Sequence, residues 1–373
     1  MNILILSWRG PNHPLSGGAE IATLEHAKGW VKAGNKVTLF TSYFDGAKEK
    51  EVIDGIEIIR RGEEAFGVKI MAFFWYLFEN HSKFDLAIDE FHGIPFFTPL
   101  YVRTKKLAFI HEVTKEVWWL NPWPKPLNLI PAIIGTVFER FIFTILYKDI
   151  PFMTVSESTK SDLIDWGIPK GNVTVIYNGV SSSKVKVQKE RKKTVIYLGA
   201  LTKDKGIEDT VKIFGLLNKK DPSFQFWVVG KGEAGYLKYL KGKIKRFNLE
   251  KKIKFWGYVN QKDKFKLLSR AHVLINPSIR EGWGLVNIEA NLVGTPVVGY
   301  DVAGMRDSII NRKTGLLSNF GDYQTLAENV MRLCNDQKLY GNVSRNSVIW
   351  AKRFTWEESA AVSLKLLKRI TNS

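Results

Sequence analysis

Two glutamates eight positions apart, Glu281 and Glu289, bracket the run Ser278-Ile279-Arg280-Glu281-Gly282-Trp283-Gly284-Leu285-Val286-Asn287-Ile288-Glu289-Ala290, the segment of this sequence best suited to chemistry. Apolar residues recur at helical spacing from Leu285 to Val293, Gly294 stands where a helix end takes a positive φ, and Pro296 blocks continuation. A helix is therefore expected to begin near Gly284. The first N–H groups of such a helix lack intrahelical acceptors and sit at the positive end of its dipole, so a diphosphate can dock there without any side chain. Glu289 falls about a turn inside the helix and Glu281 on the loop before it, which gives the two carboxylates different work. The pair describes a site for a ligand that is both phosphorylated and rich in hydroxyls. Two solvated charges beside an ordinary loop explain an isolated pair better; the glycines between them and the rest of the chain argue for the site.

The elements that must position this segment follow from the apolar pattern. Short apolar runs alternate with helical stretches through the first half: Ile3 to Ser7, a helix from Ala19 to Ala33, Lys36 to Thr41, then Asp85 to Asp89, Leu107 to Ile110 and Phe152 to Val155. This is the alternation of a parallel sheet covered on both faces. The pattern restarts with Thr194 to Leu198, a helix from Gly206 to Asn218, Phe224 to Val229, a helix from Ala234 to Phe247, Ile253 to Trp256, a helix near Gln261 to Arg270, Val273 to Asn276 and Val297 to Tyr300. Residues 181–193, three serines and then a Lys-rich run, have almost nothing to bury and read as a linker. The expected architecture is two Rossmann-like, doubly wound α/β domains facing across a cleft: residues 1–180, and residues 194–355, with a last helix at about 356–373 packing back on the first domain. A chain of 373 residues is long enough for a buried core in each.

In such sheets ligands bind beyond the carboxyl ends of the strands, and the polar clusters fall where that rule puts them. Gly17-Gly18-Ala19-Glu20 follows the first strand, His111-Glu112 follows Leu107 to Ile110, residues 199–206 with Lys203 and Lys205 follow Thr194 to Leu198, and Gly230-Lys231-Gly232-Glu233 follows Phe224 to Val229. Gly230, Gly232 and Gly235 also satisfy the dinucleotide fingerprint, but no acidic residue closes a second strand some way on; Glu250 lies among lysines before the next strand. A nicotinamide or flavin dehydrogenase is the weaker enzymatic reading.

A formal charge of +18 calls for an anionic partner: a phosphorylated substrate, an acidic membrane surface or nucleic acid. No Cys/His ligand pattern or aromatic ribonucleoprotein motif is present, so nucleic acid is disfavoured. Cys334 stands alone, which excludes an intrachain disulfide and a cysteine metal cluster. No secretory signal opens the sequence, and the apolar stretches at 70–78 and 127–147 are expected not to cross a bilayer, the first too short and the second interrupted by Glu139-Arg140. The expected location is cytoplasmic.

Taken together, these motifs resemble the retaining glycosyltransferases of family 4, also called group 1, which have the twin-Rossmann GT-B fold and use nucleotide-diphosphate sugars. The resemblance covers nearly the whole chain. It rests on Glu281-Gly282-Trp283-Gly284 through Glu289-Ala290, which matches the family's E-x7-E signature, and on Gly294-Thr295-Pro296-Val297-Val298 after it. Val155-Ser156-Glu157-Ser158, Tyr177-Asn178-Gly179-Val180 and Phe354-Thr355-Trp356-Glu357 add to it in the family's order.

The resemblance implies that Glu281 faces the transferred sugar and that Glu289 accepts from the donor ribose. It implies that backbone N–H groups of Trp283, Gly284, Leu285 and Val286, with Gly17 and Gly18, hold the diphosphate. Lys205, with Lys203, neutralises the leaving group, and His111 bonds the sugar; Gly230 and Gly232 complete the donor-binding set. No cofactor is implied beyond the nucleotide sugar, UDP- or GDP-linked. With no Asp-x-Asp pair in the chain, transfer is expected to need no metal. One departure stands out: Ala200 occupies the position where the family carries an arginine after Gly199. The acceptor is a glycan, a lipid-linked sugar or a small molecule. Phe73-Phe74-Trp75-Tyr76, Phe96-Phe97 and residues 118–123, beside Lys115, Lys125 and Lys148, suit peripheral contact with an anionic membrane at its inner face, although packing accounts for them too. The rivals are a nucleotide-sugar epimerase of the same fold, and a basic RNA- or membrane-binding protein without catalysis.

Overall fold

The computed structural model describes residues 1–91, 93–121, 124–181 and 188–372. The chain forms two compact units, Met1–Gly179 together with Thr355–Ser373, and Val180–Phe354. Trp123 and most of the serine-led start of the expected linker lie outside the described residues. Residues 188–193 are tied down rather than loose: Glu190 N–H donates to Arg270 O, and the Lys189 ammonium donates to Ala271 O and Thr295 Oγ1, both at 2.7 Å. The lysines that looked like linker in the sequence find carbonyls and carboxylates on the second unit. Burial holds the Lys189 ammonium down to about 7.

The first unit is built on an eight-stranded sheet in the order β3-β4-β2-β1-β5-β6-β7-β8. Its strands are β1 (Asn2–Ser7), β2 (Lys36–Thr41), β3 (Lys50–Ile53), β4 (Ile56–Arg60), β5 (Leu86–Phe91), β6 (Lys105–Ile110), β7 (Phe152–Thr154) and β8 (Val173–Val175). All pairings are parallel except β3 with β4, a hairpin turned at Asp54-Gly55 with φ of 52° and 80°. Asp-Gly is the pair that favours two positive φ values in a two-residue turn, so the departure from an all-parallel sheet is written in those two residues. Helices α1 (Gly18–Lys32), α2 (Phe66–Phe78), α3 (Thr98–Tyr101), α4 (Leu129–Leu146) and α5 (Glu157–Asp165) cover it. So does the last helix of the chain, α13 (Trp356–Asn372), which packs on α1: the Ser363 hydroxyl lies 3.0 Å from His26 Nδ1 and receives the Trp30 indole N–H at 2.9 Å.

The second unit carries a six-stranded parallel sheet in the order β11-β10-β9-β12-β13-β14. Its strands are β9 (Thr194–Leu198), β10 (Gln225–Val229), β11 (Ile253–Gly257), β12 (Val273–Asn276), β13 (Val297–Tyr300) and β14 (Gly315–Ser318). Between and after them run α6 (Ile207–Lys220), α7 (Ala234–Arg246), α8 (Gln261–Arg270), α9 (Leu285–Leu292), α10 (Met305–Ser308), α11 (Tyr323–Asn335) and α12 (Gln337–Ala351). From β9 the chain winds outward through β10 and β11, then returns to β12 on the other side. The winding reverses between β9 and β12, and the crevice of a doubly wound sheet lies at the carboxyl ends of that strand pair.

Two glycines let the loops of that crevice close on each other. Gly206 has φ +72°, and a Cβ there would stand 2.0 Å from Pro277 O, so the loop after β9 lies directly on the loop after β12. Ile279 N–H donates to Asp204 O at 2.9 Å across the same contact. Gly304, with φ +75°, places its backbone under Glu281; a Cβ there would fall 1.9 Å from Glu281 O, and Glu281 N–H donates to Ala303 O at 3.1 Å. The segment with the first glutamate is therefore clamped by backbone from both sides.

Gly304→Ala should cost on the order of 1–3 kcal/mol for the strained φ alone, and more for displacing the Glu281 carbonyl. Gly257→Ala is the control, since its φ is +69° but its Cβ meets nothing within 4 Å. Denaturant unfolding should show the larger loss at Gly304, and equal losses would refute the clamp. Buried His26, held down to about 3 chiefly by desolvation and then by the nearby His111, stays neutral in the fold. Its unfolded form takes up a proton below 6.5, so stability present above that pH is lost as pH falls from 6.5 toward 3, by about 1.4 kcal/mol per unit. Unfolding at pH 7 and 5.5 should show a shallower loss in His26→Gln than in the wild type; parallel losses would contradict it.

Candidate functional site

At the carboxyl ends of β9 and β12 two expected groups meet, joined by a serine. Glu281 Oε2 lies 3.1 Å from Lys205 Nζ, and Glu281 Oε1 lies 2.7 Å from the Ser278 hydroxyl. Beneath them runs a buried amide relay that sequence reading missed. Asn276 Nδ2 donates to Asn287 Oδ1 at 2.8 Å, Asn287 Nδ2 donates to Ser308 Oγ at 3.0 Å, and Ser278 Oγ also lies 2.8 Å from Asn276 Oδ1. All four residues are 5 % exposed or less. A buried amide is costly unless its groups are paired, so this relay fixes the strand end, the glutamate loop and the start of α9 relative to one another. The sequence signal was available in polar residues at Asn276, Ser278 and Asn287, among positions that otherwise read as strand end and apolar helix face.

Helix α9 opens where expected. Gly284 is its N-cap with φ +74°, and no side chain caps the first turn. The N–H groups of Leu285 and Val286 at that start have no intrahelical acceptor, which leaves an electropositive end a few residues from Lys205's partner Glu281 in sequence. The Trp283 side chain is buried edge-on against Phe354 at 5.0 Å between centroids, so this residue offers the site its backbone and not its indole. Glu289, further along α9 and 7 % exposed, is paired with Lys264 of α8 at 2.5 Å, a partner that sequence reading also missed. Burial pushes the Glu289 carboxyl up, and the Lys264 ammonium pulls it down by less.

The remaining second-unit residues fall beside this centre. Lys203 is exposed on the loop after β9. Gly230 and Gly232 lie against residues 199–201: Gly199 N–H donates to Val229 O, Leu201 N–H to Lys231 O, and a Cβ on Gly230 would fall 1.8 Å from Gly199 O. That close approach explains the dinucleotide-like spacing without a dinucleotide. The helix after it has its amino end occupied by its own carboxylate, because Glu233 accepts from Gly235 N–H and Tyr236 N–H. Ala200 is exposed, and its carbonyl accepts from the Tyr197 hydroxyl at 2.6 Å.

In the first unit, Gly17 is the N-cap of α1, and Gly17 N–H donates at 2.6 Å to Glu20, whose carboxylate folds back over the helix start. His111 follows β6, is 4 % exposed, and sets Nε2 3.4 Å from Glu90 Oε1 at the end of β5. Desolvation holds this imidazole down to about 3, so at neutral pH it is an uncharged hydrogen-bonding group. Gly17, Gly18 and His111 thus belong to the carboxyl edge of the first sheet, and the Lys205, Glu281 and Glu289 set to that of the second.

Comparison with known proteins gives the family and the fold. Residues 16–184 match the model described as Glycosyltransferase Family 4, and residues 181–350 the one described as Glycosyl transferases group 1. A glycogen synthase of Mycobacterium tuberculosis is 26 % identical over 364 residues, covering 90 % of this chain and 86 % of its own. Among solved structures, the sucrose-phosphate synthase of Thermosynechococcus elongatus superimposes with a TM-score of 0.82 at 19 % identity, over 99 % of this chain and 98 % of that one. HepE of Anabaena, solved with UDP and glucose, gives 0.75 at 20 % identity over 99 % and 100 %. With a family 4 model over its first half, a group 1 model over its second, and two Rossmann-like units beneath them, this chain belongs to the glycosyltransferases of the GT-B fold.

Proposed function

We propose that the protein moves a hexosyl unit from a nucleotide-diphosphate sugar, UDP- or GDP-linked, to a hydroxyl of a glycan, lipid-linked or small-molecule acceptor, with retention of configuration and without a metal. The observation that carries this reading is the Lys205–Glu281 pair beside the uncapped start of α9 at the β9/β12 reversal. The diphosphate rests on the N–H groups of Leu285 and Val286, and Lys205 turns from Glu281 to a phosphate oxygen. The paired Glu281 is then released to orient the sugar hydroxyls and to offset positive charge as the anomeric bond stretches. Glu289, held on α9 by Lys264, presents its second oxygen to the adjacent hydroxyls of the ribose.

Chemically, the acceptor oxygen bonds to the anomeric carbon as the bond from that carbon to the phosphate oxygen breaks. The bonding pair leaves with the diphosphate, whose oxygen takes the acceptor proton on the same face. This front-face course asks for no carboxylate nucleophile. Positive charge for the leaving group comes from Lys205, Lys203 and the helix start, in place of a metal ion. The lost arginine at Ala200 shifts that load onto the lysines. The HepE structure in complex with UDP and glucose supports the donor class, and the neutral imidazole of His111 suits a hydrogen bond to a sugar hydroxyl. An epimerase of this fold would turn over its nucleotide sugar with no acceptor present.

A panel of UDP-, GDP-, ADP- and TDP-sugars, followed for nucleotide release with and without glycan acceptors, tests the reading. Glu281→Ala should lower kcat by about 10²- to 10³-fold with nucleotide affinity nearly unchanged. Glu289→Gln should raise the donor KM by about tenfold, the worth of one strong hydrogen bond to a charged group. Undiminished turnover in both variants would end the assignment. EDTA should leave the rate unaltered, and restoration of a lost rate by magnesium would overturn the metal-free course.

A further inference from the structure

The positive charge of this chain is unevenly placed. In the first unit lysines and arginines match aspartates and glutamates, 22 against 22, so the formal +18 lies wholly in residues 180–354. Within that range residues 188–270 hold 22 basic residues against 8 acidic ones, and residues 271–354 hold 9 against 7. The excess therefore belongs to β9, β10 and β11 with α6, α7 and α8, the half of the second sheet that ends at β11. The donor site draws on Lys203 and Lys205 at the carboxyl ends of the strands. Most of the surplus stands elsewhere.

At the opposite end of the sheet, where Thr194 opens β9 and Gln225 opens β10, lies a cavity of about 590 Å³. Five cations, Lys189, Arg191, Lys192, Lys266 and Arg270, line it against one carboxylate, Glu190. That carboxylate is already engaged: Arg270 Nε donates to it at 2.6 Å, and the same guanidinium stands 5.5 Å from the Trp227 ring centroid. Arg191, Lys192 and Lys266 make no ion pair among the described residues. Lys189 differs from them in direction. Its ammonium turns inward and donates to Ala271 O and Thr295 Oγ1, both at 2.7 Å and both on fully buried residues. These acceptors are neutral, and with no counter-charge beside it desolvation holds the ammonium down to about 7. The carbonyl end of α8, which would repel an anion if bare, is satisfied here, because Ala271 O takes Lys189 and Leu268 O takes the Thr295 hydroxyl.

We propose that this cavity binds the phosphate group of a small soluble phosphomonoester. Its volume is that of a small-molecule pocket. A phosphomonoester carries nearly two negative charges and three acceptor oxygens, so it engages several of these cations at once, where a carboxylate engages one or two. An entering anion meets four cations that no carboxylate neutralises, in a half of the unit whose whole field is positive. The rest of the lining suits a hydroxyl-bearing body: Gln188 and Gln225 bring amides, Thr194 a hydroxyl and Trp227 an apolar edge. The cavity is separate from the donor site. Strand β9 runs from Thr194 beside the cavity to Leu198 at the crevice, four residue steps or about 13 Å. The proposal goes beyond the transfer reaction and does not depend on it.

Titration calorimetry of the full chain with glucose 6-phosphate and with inorganic phosphate, at an ionic strength fixed with potassium chloride, tests the proposal. The wild type should bind, and should still bind with UDP in excess. Lys192→Glu together with Lys266→Glu reverses two exposed charges that make no ion pair in the fold, and should weaken binding by about tenfold or more. Lys238→Glu with Lys245→Glu, exposed on α7, changes the net charge equally and should bind like the wild type, which separates a site from a general basic field. Thermal unfolding of each variant separates loss of binding from loss of fold. Lys205→Ala should weaken UDP and leave glucose 6-phosphate unchanged, so a failed donor site and a failed cavity give different results. The proposal is overturned if the wild type binds neither phosphate, if the two double variants weaken binding equally, or if Lys205→Ala abolishes it. Retention on vesicles containing phosphatidic acid, with no binding of glucose 6-phosphate, would overturn it as well.

Discussion

The site at the β9/β12 reversal hangs on how closely the loops after β9 and β13 approach the loop after β12. Backbone lies on backbone at Gly206 and Pro277, and again at Gly304 and Glu281, distances that no side chain at either glycine would permit. That contact brings Lys205 and Glu281, distant in sequence, to 3.1 Å. It also fixes what the pair can do. A lysine already sharing its charge with a carboxylate is held in place before any ligand arrives; in the proposed reaction an incoming diphosphate competes for it and releases the carboxylate to the sugar. Preorganised charge of this kind avoids the reorganisation that water would demand.

Much of this was legible in the residues. The parallel alternation, the helix opening at Gly284 and its stop at Gly294 follow from apolar spacing and from glycine's tolerance of positive φ. Side-chain partnerships were not legible, because they join elements far apart in the chain. Nothing local marks Lys264 as the partner of Glu289, or Asn276 as the partner of Asn287. The Gly230, Gly232, Gly235 spacing, set aside as a dinucleotide fingerprint for want of an acidic residue, lets the backbone pack closely on residues 199–201, and the helix start beyond it is filled by Glu233. Residues 188–193 misled through composition, since charged residues with no apolar neighbours look unfixed until the acceptors of Lys189 and Lys193 and the Arg270 partner of Glu190 are seen. The apolar helix α4 read as an interrupted span; its glutamate is the anchor that turns it into a surface helix.

The two units divide the chemistry. The second collects positive charge, a helix start and two carboxylates at one strand pair, which is what a nucleotide diphosphate and its sugar require. The first offers a neutral imidazole at His111 and exposed apolar residues on α2 and α4. On the loop after β9, where Ala200 stands, Lys203 and Lys205 are the cations.

A crystal structure of the protein soaked with UDP or GDP tests the central claim most directly. The account predicts density for the diphosphate at the N–H groups of Leu285 and Val286, with Lys205 Nζ turned from Glu281 onto a phosphate oxygen and the ribose hydroxyls against Glu289. Nucleotide density at the glycines of residues 230–235 with Lys205 still on Glu281, or no nucleotide at the β9/β12 edge, would contradict it.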